Sequence, residues 1–260
     1  MGKLESAISQ NVMTLKNDLE KLVETASKVQ KEPYQKLRGK LSRKQLRLRP
    51  SVGSFSLVSY AAETPQLGSS NLNSVSDLER AQRKKLSKPR RDTPEKELQS
   101  WFIREALHNG GIVNPLNDVL KDGQYWFVSD EIAIAIKRKP LEKLVADLLL
   151  AKVDAEGLAH LVNVELKYDR LTQAFDQVMK FRAALEHPEL QGLWKQFAET
   201  MTGKQFRWQP SQKAHGVVVW PRSNDSARAL ANEKTKKYER VDLVGFKKNY
   251  HLEREPAASA

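Results

Sequence analysis

Cysteine is absent from this 260-residue chain. Disulfides and thiolate-held zinc are therefore excluded, and the composition suits a cytoplasmic setting. Histidine is scarce, and the five histidines include no H-x-x-x-H pair, so a zinc hydrolase of that type has no support. No apolar run reaches the ~18 residues of a membrane span. The opening residues, Met1-Gly2-Lys3-Leu4-Glu5, lack the apolar core of a signal peptide. Apolar residues make up 40% of the chain, ordinary for a length that supports one domain with a sizeable core plus appendages.

Charge is plentiful but uneven. The net charge is +12, and the stretch from Pro33 to Arg91 supplies most of it, with fourteen Lys/Arg against Glu63, Asp77 and Glu79. The clusters are Arg43-Lys44, Arg47 and Arg49, then Arg83-Lys84-Lys85, Lys88 and Arg90-Arg91. A stretch of this kind contacts a polyanion, nucleic acid or an anionic membrane, or is a solvated linker. The two roles are compatible.

Along the chain, Val12, Leu15, Leu19, Leu22, Ala26 and Val29 recur at alternating spacings of three and four, which predicts a helix over 3–31 ended by Pro33. It either docks on its own domain or forms a homodimer. Residues 33–92 read as a basic, largely irregular segment, with a short basic helix possible at 34–49 and a Ser/Asn-rich linker at 51–76. Thr93-Pro94-Glu95 starts a helix that runs to His108 and stops at Asn109-Gly110-Gly111. Strand character follows at 125–128, is undecided against helix at 132–136, and returns at 144–153 and 161–168. Leu171, Ala174, Phe175, Val178, Phe181 and Leu185 mark a helix, with Gln173 and Gln177 on the edge of its apolar face. A short helix over 190–201, a strand over 216–221, a helix over 225–236 and a strand over 241–246 complete the order. Residues 93–252 thus read as an α/β domain with a central mixed sheet, and 253–260 as a frayed tail.

One stretch carries chemistry. On the strand around Val162, Val164 and Leu166, Glu165 and Lys167 share the opposite face. They could hold a metal and a water beside a phosphate, or be only a surface ion pair. Glu165-Leu166-Lys167 is the only [D/E]-x-K in the chain. If the loop 154–158 closes a hairpin, Val153 pairs with Ala159 and Asp147, the lone charge in an apolar run, falls opposite Glu165. Opposed carboxylates cost up to about 1 kcal/mol even when exposed, so a positive group is expected between them. Lys167 is one; Mg²⁺, which needs only one or two carboxylates, is the better candidate.

Asp147 and Glu165-Leu166-Lys167, with an acid-bearing helix before and a glutamine-bearing helix after, resemble the PD-(D/E)XK nuclease superfamily. That group includes many restriction endonucleases, Holliday-junction resolvases and lambda-type exonucleases. The resemblance covers residues 93–221 and implies a restriction-endonuclease-like fold, a central mixed β-sheet flanked by helices. It implies Mg²⁺ (or Mn²⁺) held by Asp147, Glu165 and the Leu166 carbonyl, with Lys167 as the catalytic lysine. The first-helix acid would fall on Glu97, with Glu95 and Glu105 as competitors. Gln177 begins a segment similar to the Q-x-x-x-Y motif of one branch, but Phe181 stands where that branch has Tyr. Ala146 replaces the motif proline.

The expected activity is metal-dependent phosphodiester hydrolysis, an endonuclease acting on DNA in preference to RNA, with the basic segment gripping phosphates without sequence readout. A non-catalytic nucleic-acid-binding or assembly protein that keeps the fold is the alternative. A third reading places the 34–49 stretch on a membrane surface. The five tryptophans are expected mainly in the core, with Trp208 the best base-stacking candidate.

Overall fold

A computed structural model describes residues 2–30, 55–56, 66–67, 94–138, 141–167, 171–210, 213–221, 240–246 and 251–254. The first helix, α1 (Gly2–Gln30), buries Ile8, Leu15, Leu19, Val23 and Ala26 on one stripe. Two-residue strands β1 (Phe55–Ser56) and β2 (Gln66–Leu67) lie within the stretch read as linker. Next come α2 (Pro94–His108), α3 (Asn114–Leu120), β3 (Gln124–Arg138), β4 (Leu141–Val153) and β5 (Ala159–Leu166). Helices α4 (Leu171–Glu186) and α5 (Pro188–Thr202) precede β6 (His215–Pro221), β7 (Val241–Phe246) and β8 (Leu252–Arg254).

The chain is an α/β fold around a six-strand mixed sheet, β3-β4-β5-β6-β7-β8, which β1 and β2 extend beyond β3. The β3–β4, β4–β5 and β7–β8 pairs are antiparallel, whereas β5–β6 and β6–β7 are parallel. A parallel neighbour requires a crossover, and α4 and α5 provide it between β5 and β6.

Several elements depart from the expectations. The undecided stretch after Val128 is the second half of one strand, β3, which contains register shifts between Phe127 and Ser129 and between Ala135 and Lys137. Those shifts break the two-residue alternation by which a strand is recognised. Helix α3 was not anticipated: it has two turns, two buried anchors (Leu116 and Leu120), Pro115 near its start and a left-handed Lys121 at its end. The tail read as frayed from Glu253 begins inside β8, where Arg254 donates to Asp242 at 2.6 Å. The helix expected at 225–236 lies outside the described residues, as does the basic segment apart from β1 and β2.

The apolar stripe of α1 packs on α5 and β3 of the same chain. Of the face offered for a homodimer, Leu15, Leu19 and Ala26 are therefore occupied internally, which follows from the preference of such a stripe for any apolar partner within reach. Of the described helices, none is long and apolar enough to cross a membrane.

Helix α4 covers β4, β5 and β6. Its buried face is Ala174, Phe175, Val178, Phe181 and Leu185, with Arg182 admitted because its guanidinium reaches Glu186 at 3.3 Å. Gly216 of β6 makes the close approach possible, since a side chain there would strike Val178. Asn163 of β5 donates to the Val178 carbonyl at 3.4 Å, so the Asn163 and Glu165 face of that strand is the one under α4.

Candidate active site

The β4–β5 hairpin has the expected register. Val153 pairs with Ala159 and the ladder continues to Leu148–Val164. The connecting turn is closed by Asp154, whose Oδ1 accepts the Leu158 N–H at 2.8 Å, and by Gly157 at φ 75°. One further step along that register sets Asp147 against Glu165. At that point the Asp147 carboxylate accepts the Leu166 N–H at 2.8 Å, so a side chain meets the backbone of β5.

Strand β5 is buried on both faces, the one carrying Glu165 included. Every residue from Leu161 to Leu166 is buried, because β4 and β6 flank it and α4 lies on the face carrying Glu165. Glu165 is 2% exposed, and Lys167 donates to its Oε1 at 2.6 Å. Lys167 also lies 3.6 Å from Glu95 of α2. The two form an ion pair in which Glu165 is buried and Lys167 is partly so, below the surface rather than on it.

Burial above all, and then the Asp147 carboxylate, pushes the Glu165 carboxyl up to about 8; Lys167 only partly offsets them. For Lys167, burial acts downward, but Glu165, Asp147 and Glu95 together outweigh it and hold the ammonium above its usual range. Three acids and one lysine therefore act on one another at the end of the central strand. A carboxyl so displaced by desolvation and by a neighbouring acid is a mark of functional sites.

Among the described residues, Glu165 Oε2 is buried with no hydrogen-bond partner. Ionising that carboxyl is costly unless a cation reaches it, which is why burial holds its proton to about 8. The expected donors, Asp147, Glu165 and the Leu166 carbonyl, include two carboxylates, the number with which Mg²⁺ keeps waters and substrate oxygens in its remaining positions. No group of three or more His, Asp or Glu residues that could hold a metal occurs among the described residues.

The remaining site candidates are placed as follows. Among the described side chains of α2, Glu95 reaches Lys167; the Glu97 side chain lies outside the described residues. Glu105 is ten positions farther along the same helix, which at 1.5 Å per residue is roughly 15 Å away. Gln177 is half-buried on α4, and its Oε1 has no partner among the described residues; no hydrogen bond joins it to Glu165 or Lys167. Arg43, Lys44, Arg47, Arg49, Arg83, Lys84, Lys85, Lys88, Arg90 and Arg91 lie outside the described residues. Trp126, Trp194 and Trp220 are buried, while Trp101 and Trp208 are half-buried. Trp208 donates to Glu199 at 3.0 Å and has the Lys195 ammonium over its ring, so its edge and one face are already engaged.

Sequence reasoning missed Gln99. It is buried, and its Nε2 donates to the Asp147 carbonyl at 2.9 Å. A signal was present: Glu95 and Gln99 are four apart, and Gln99 follows Leu98 where α2 turns toward the sheet. Comparison with protein-family models, curated proteins and solved structures returned no match.

Proposed function

We propose that the chain is a Mg²⁺-dependent nuclease of the PD-(D/E)XK kind, hydrolysing phosphodiester bonds of DNA in preference to RNA. The observation that carries this reading is the buried Glu165–Lys167 pair with Asp147 beside it, at the end of a strand whose register brings the acids together. Two adjacent acids in a dry site are relieved by protonation of one or by a cation, and a cation that holds both ionised is the reading preferred here.

Asp147, Glu165 and the Leu166 carbonyl would hold Mg²⁺ (or Mn²⁺). The chemistry such an ion supplies is acidification of water and neutralisation of charge on phosphate oxygens. The chain's own contribution is positioning. Glu165 and Glu95 hold the Lys167 ammonium in place, and the Leu166 N–H fixes the Asp147 carboxylate. Lys167 orients the attacking water and stabilises the phosphate oxygens as charge develops on them. Attack of water on phosphorus breaks one P–O ester bond and leaves a phosphomonoester and a free hydroxyl. Arg91 is four residues from Glu95, so chain length alone keeps their Cα atoms within roughly 14 Å. In this reading Arg91 grips a phosphate flanking the scissile one.

The test is incubation with supercoiled plasmid and with single-stranded DNA, in Mg²⁺ or EDTA, alongside Lys167→Ala. Cleavage that needs both Mg²⁺ and Lys167 supports the nuclease. Cleavage that survives EDTA or the substitution overturns it. Binding without cleavage moves the reading to a non-catalytic nucleic-acid-binding protein.

A further inference from the structure

Gln99 stands out among the buried polar groups because the chemistry above does not use it. It lies in a helix–sheet interface with Leu98 and Phe102, where an apolar residue would pack without any desolvation cost. Its amide instead bridges forty-eight residues of sequence to the backbone carbonyl of Asp147. Asp147 is one residue past the last paired position of the β4–β5 ladder, Leu148–Val164. Beyond that position its carboxylate is held by the Leu166 N–H and its carbonyl by Gln99. One residue is thereby fixed at both its side chain and its backbone, by two different elements.

Helical spacing sharpens this. Glu95 and Gln99 are four apart on α2 and so share a face. Glu95 contacts Lys167, and Gln99 contacts Asp147. The first turns of α2 therefore touch both halves of the site.

We propose that Gln99 is a positioning residue. Its side-chain amide sets the peptide of Asp147 so that the carboxylate is preorganised to receive a divalent cation beside Glu165. The proposal rests on the nuclease reading and adds a residue and a role to it. Groups that orient a ligand without touching the metal typically govern affinity or activity by about 10–100-fold.

The experiment uses the full chain and two near-isosteric variants, Gln99→Met, which removes the donor, and Gln99→Glu, which replaces the amide with a carboxylate. Glu105→Gln, farther along α2, is the control. Mn²⁺ affinity is measured by calorimetry without DNA, and cleavage is followed against Mg²⁺ concentration. The expected result is Mn²⁺ binding weakened about tenfold or more, with an unchanged melting temperature and maximal cleavage restored by excess Mg²⁺. That rescue is not expected of a generally damaged fold. Wild-type affinity and wild-type Mg²⁺ requirement in a folded Gln99 variant overturn this proposal alone. Unfolding of both variants also overturns it, by making Gln99 a purely structural tie. Failure of the wild-type chain both to bind Mn²⁺ and to show Lys167-dependent cleavage overturns the nuclease reading and this proposal with it.

Discussion

Lys167 donates to Glu165 at 2.6 Å from a position two residues farther along the same chain, where β5 ends. The two side chains are 13% and 3% exposed, so water screens neither well. Removing Lys167 leaves Glu165 without its compensating charge. Breaking a buried pair in this way costs about 3–5 kcal/mol, and protonation of Glu165 caps the loss. With that carboxyl already displaced to about 8, Lys167→Met should destabilise the cation-free chain by less than that range at neutral pH and by more as pH rises above 8. Glu165→Gln, which keeps the shape and discards the charge, should leave stability nearly unchanged while lowering cleavage by about 10²-fold or more. Urea denaturation without divalent ions, paired with cleavage assays, checks both. Equal destabilisation by the two variants would contradict the account.

His215 offers a pH-dependent test away from the site. It begins β6, and its ring lies 5.2 Å from that of His160. Burial first, then the charges of Lys152, His160, Arg240 and Arg182, lower its pKa to about 4. A histidine near 6.5 when unfolded and near 4 when folded is neutral in the native chain. Between those values the unfolded state binds more protons, so stability falls as pH drops from about 6.5 to about 4. Below about 4 the contribution is flat. At about 1.4 kcal/mol per pKa unit, the loss attributable to His215 is at most about 3.5 kcal/mol. His215→Asn should flatten that part of the urea-midpoint profile. A profile of unchanged slope between pH 4 and 6.5 would refute the assignment.

Gly216→Ala probes the packing that covers Glu165. A methyl group there meets a Val178 methyl and approaches Arg182 Cδ at 3.5 Å. Val178 is β-branched and fully buried, so it cannot turn aside without moving α4. Overpacking of this kind typically costs 1–3 kcal/mol. Thermal melting of the variant checks the sign, and a melting point at or above that of the parent would show that the helix shifts freely.

The hairpin was legible because three local signals agree: a five-residue turn with a glycine, apolar runs on both sides and one acid in each run. The turn chemistry of Asp154 and Gly157 then set the register that brings Asp147 toward Glu165. The burial of both faces of β5 was not legible, since it depends on β6 pairing from some fifty residues away and on α4 folding back over the strand. Helix α3 escaped because two anchors in seven residues are too few to show a period. The first-helix acid was left among three candidates for a related reason. Periodicity places Glu95, Glu97 and Glu105 on one helix, but only the docking of α2 against β5 and β3 decides which end meets Lys167.

That docking yields the last prediction. Glu95 is about one-third exposed and 3.6 Å from Lys167, so the pair belongs with the weak, solvent-screened ion pairs worth at most about 1 kcal/mol. Glu95→Gln should hardly change the melting temperature. Its effect should fall on cleavage, because Lys167 loses one of the two carboxylates that, among the described residues, hold its ammonium. A several-fold fall in kcat, with DNA affinity intact, is the expected signature of a misaligned catalytic group. Glu105→Gln, at the other end of α2, should match the parent in stability and rate. If instead Glu105→Gln impairs cleavage more than Glu95→Gln, the end of α2 that serves the site has been misassigned, and with it the place of Gln99.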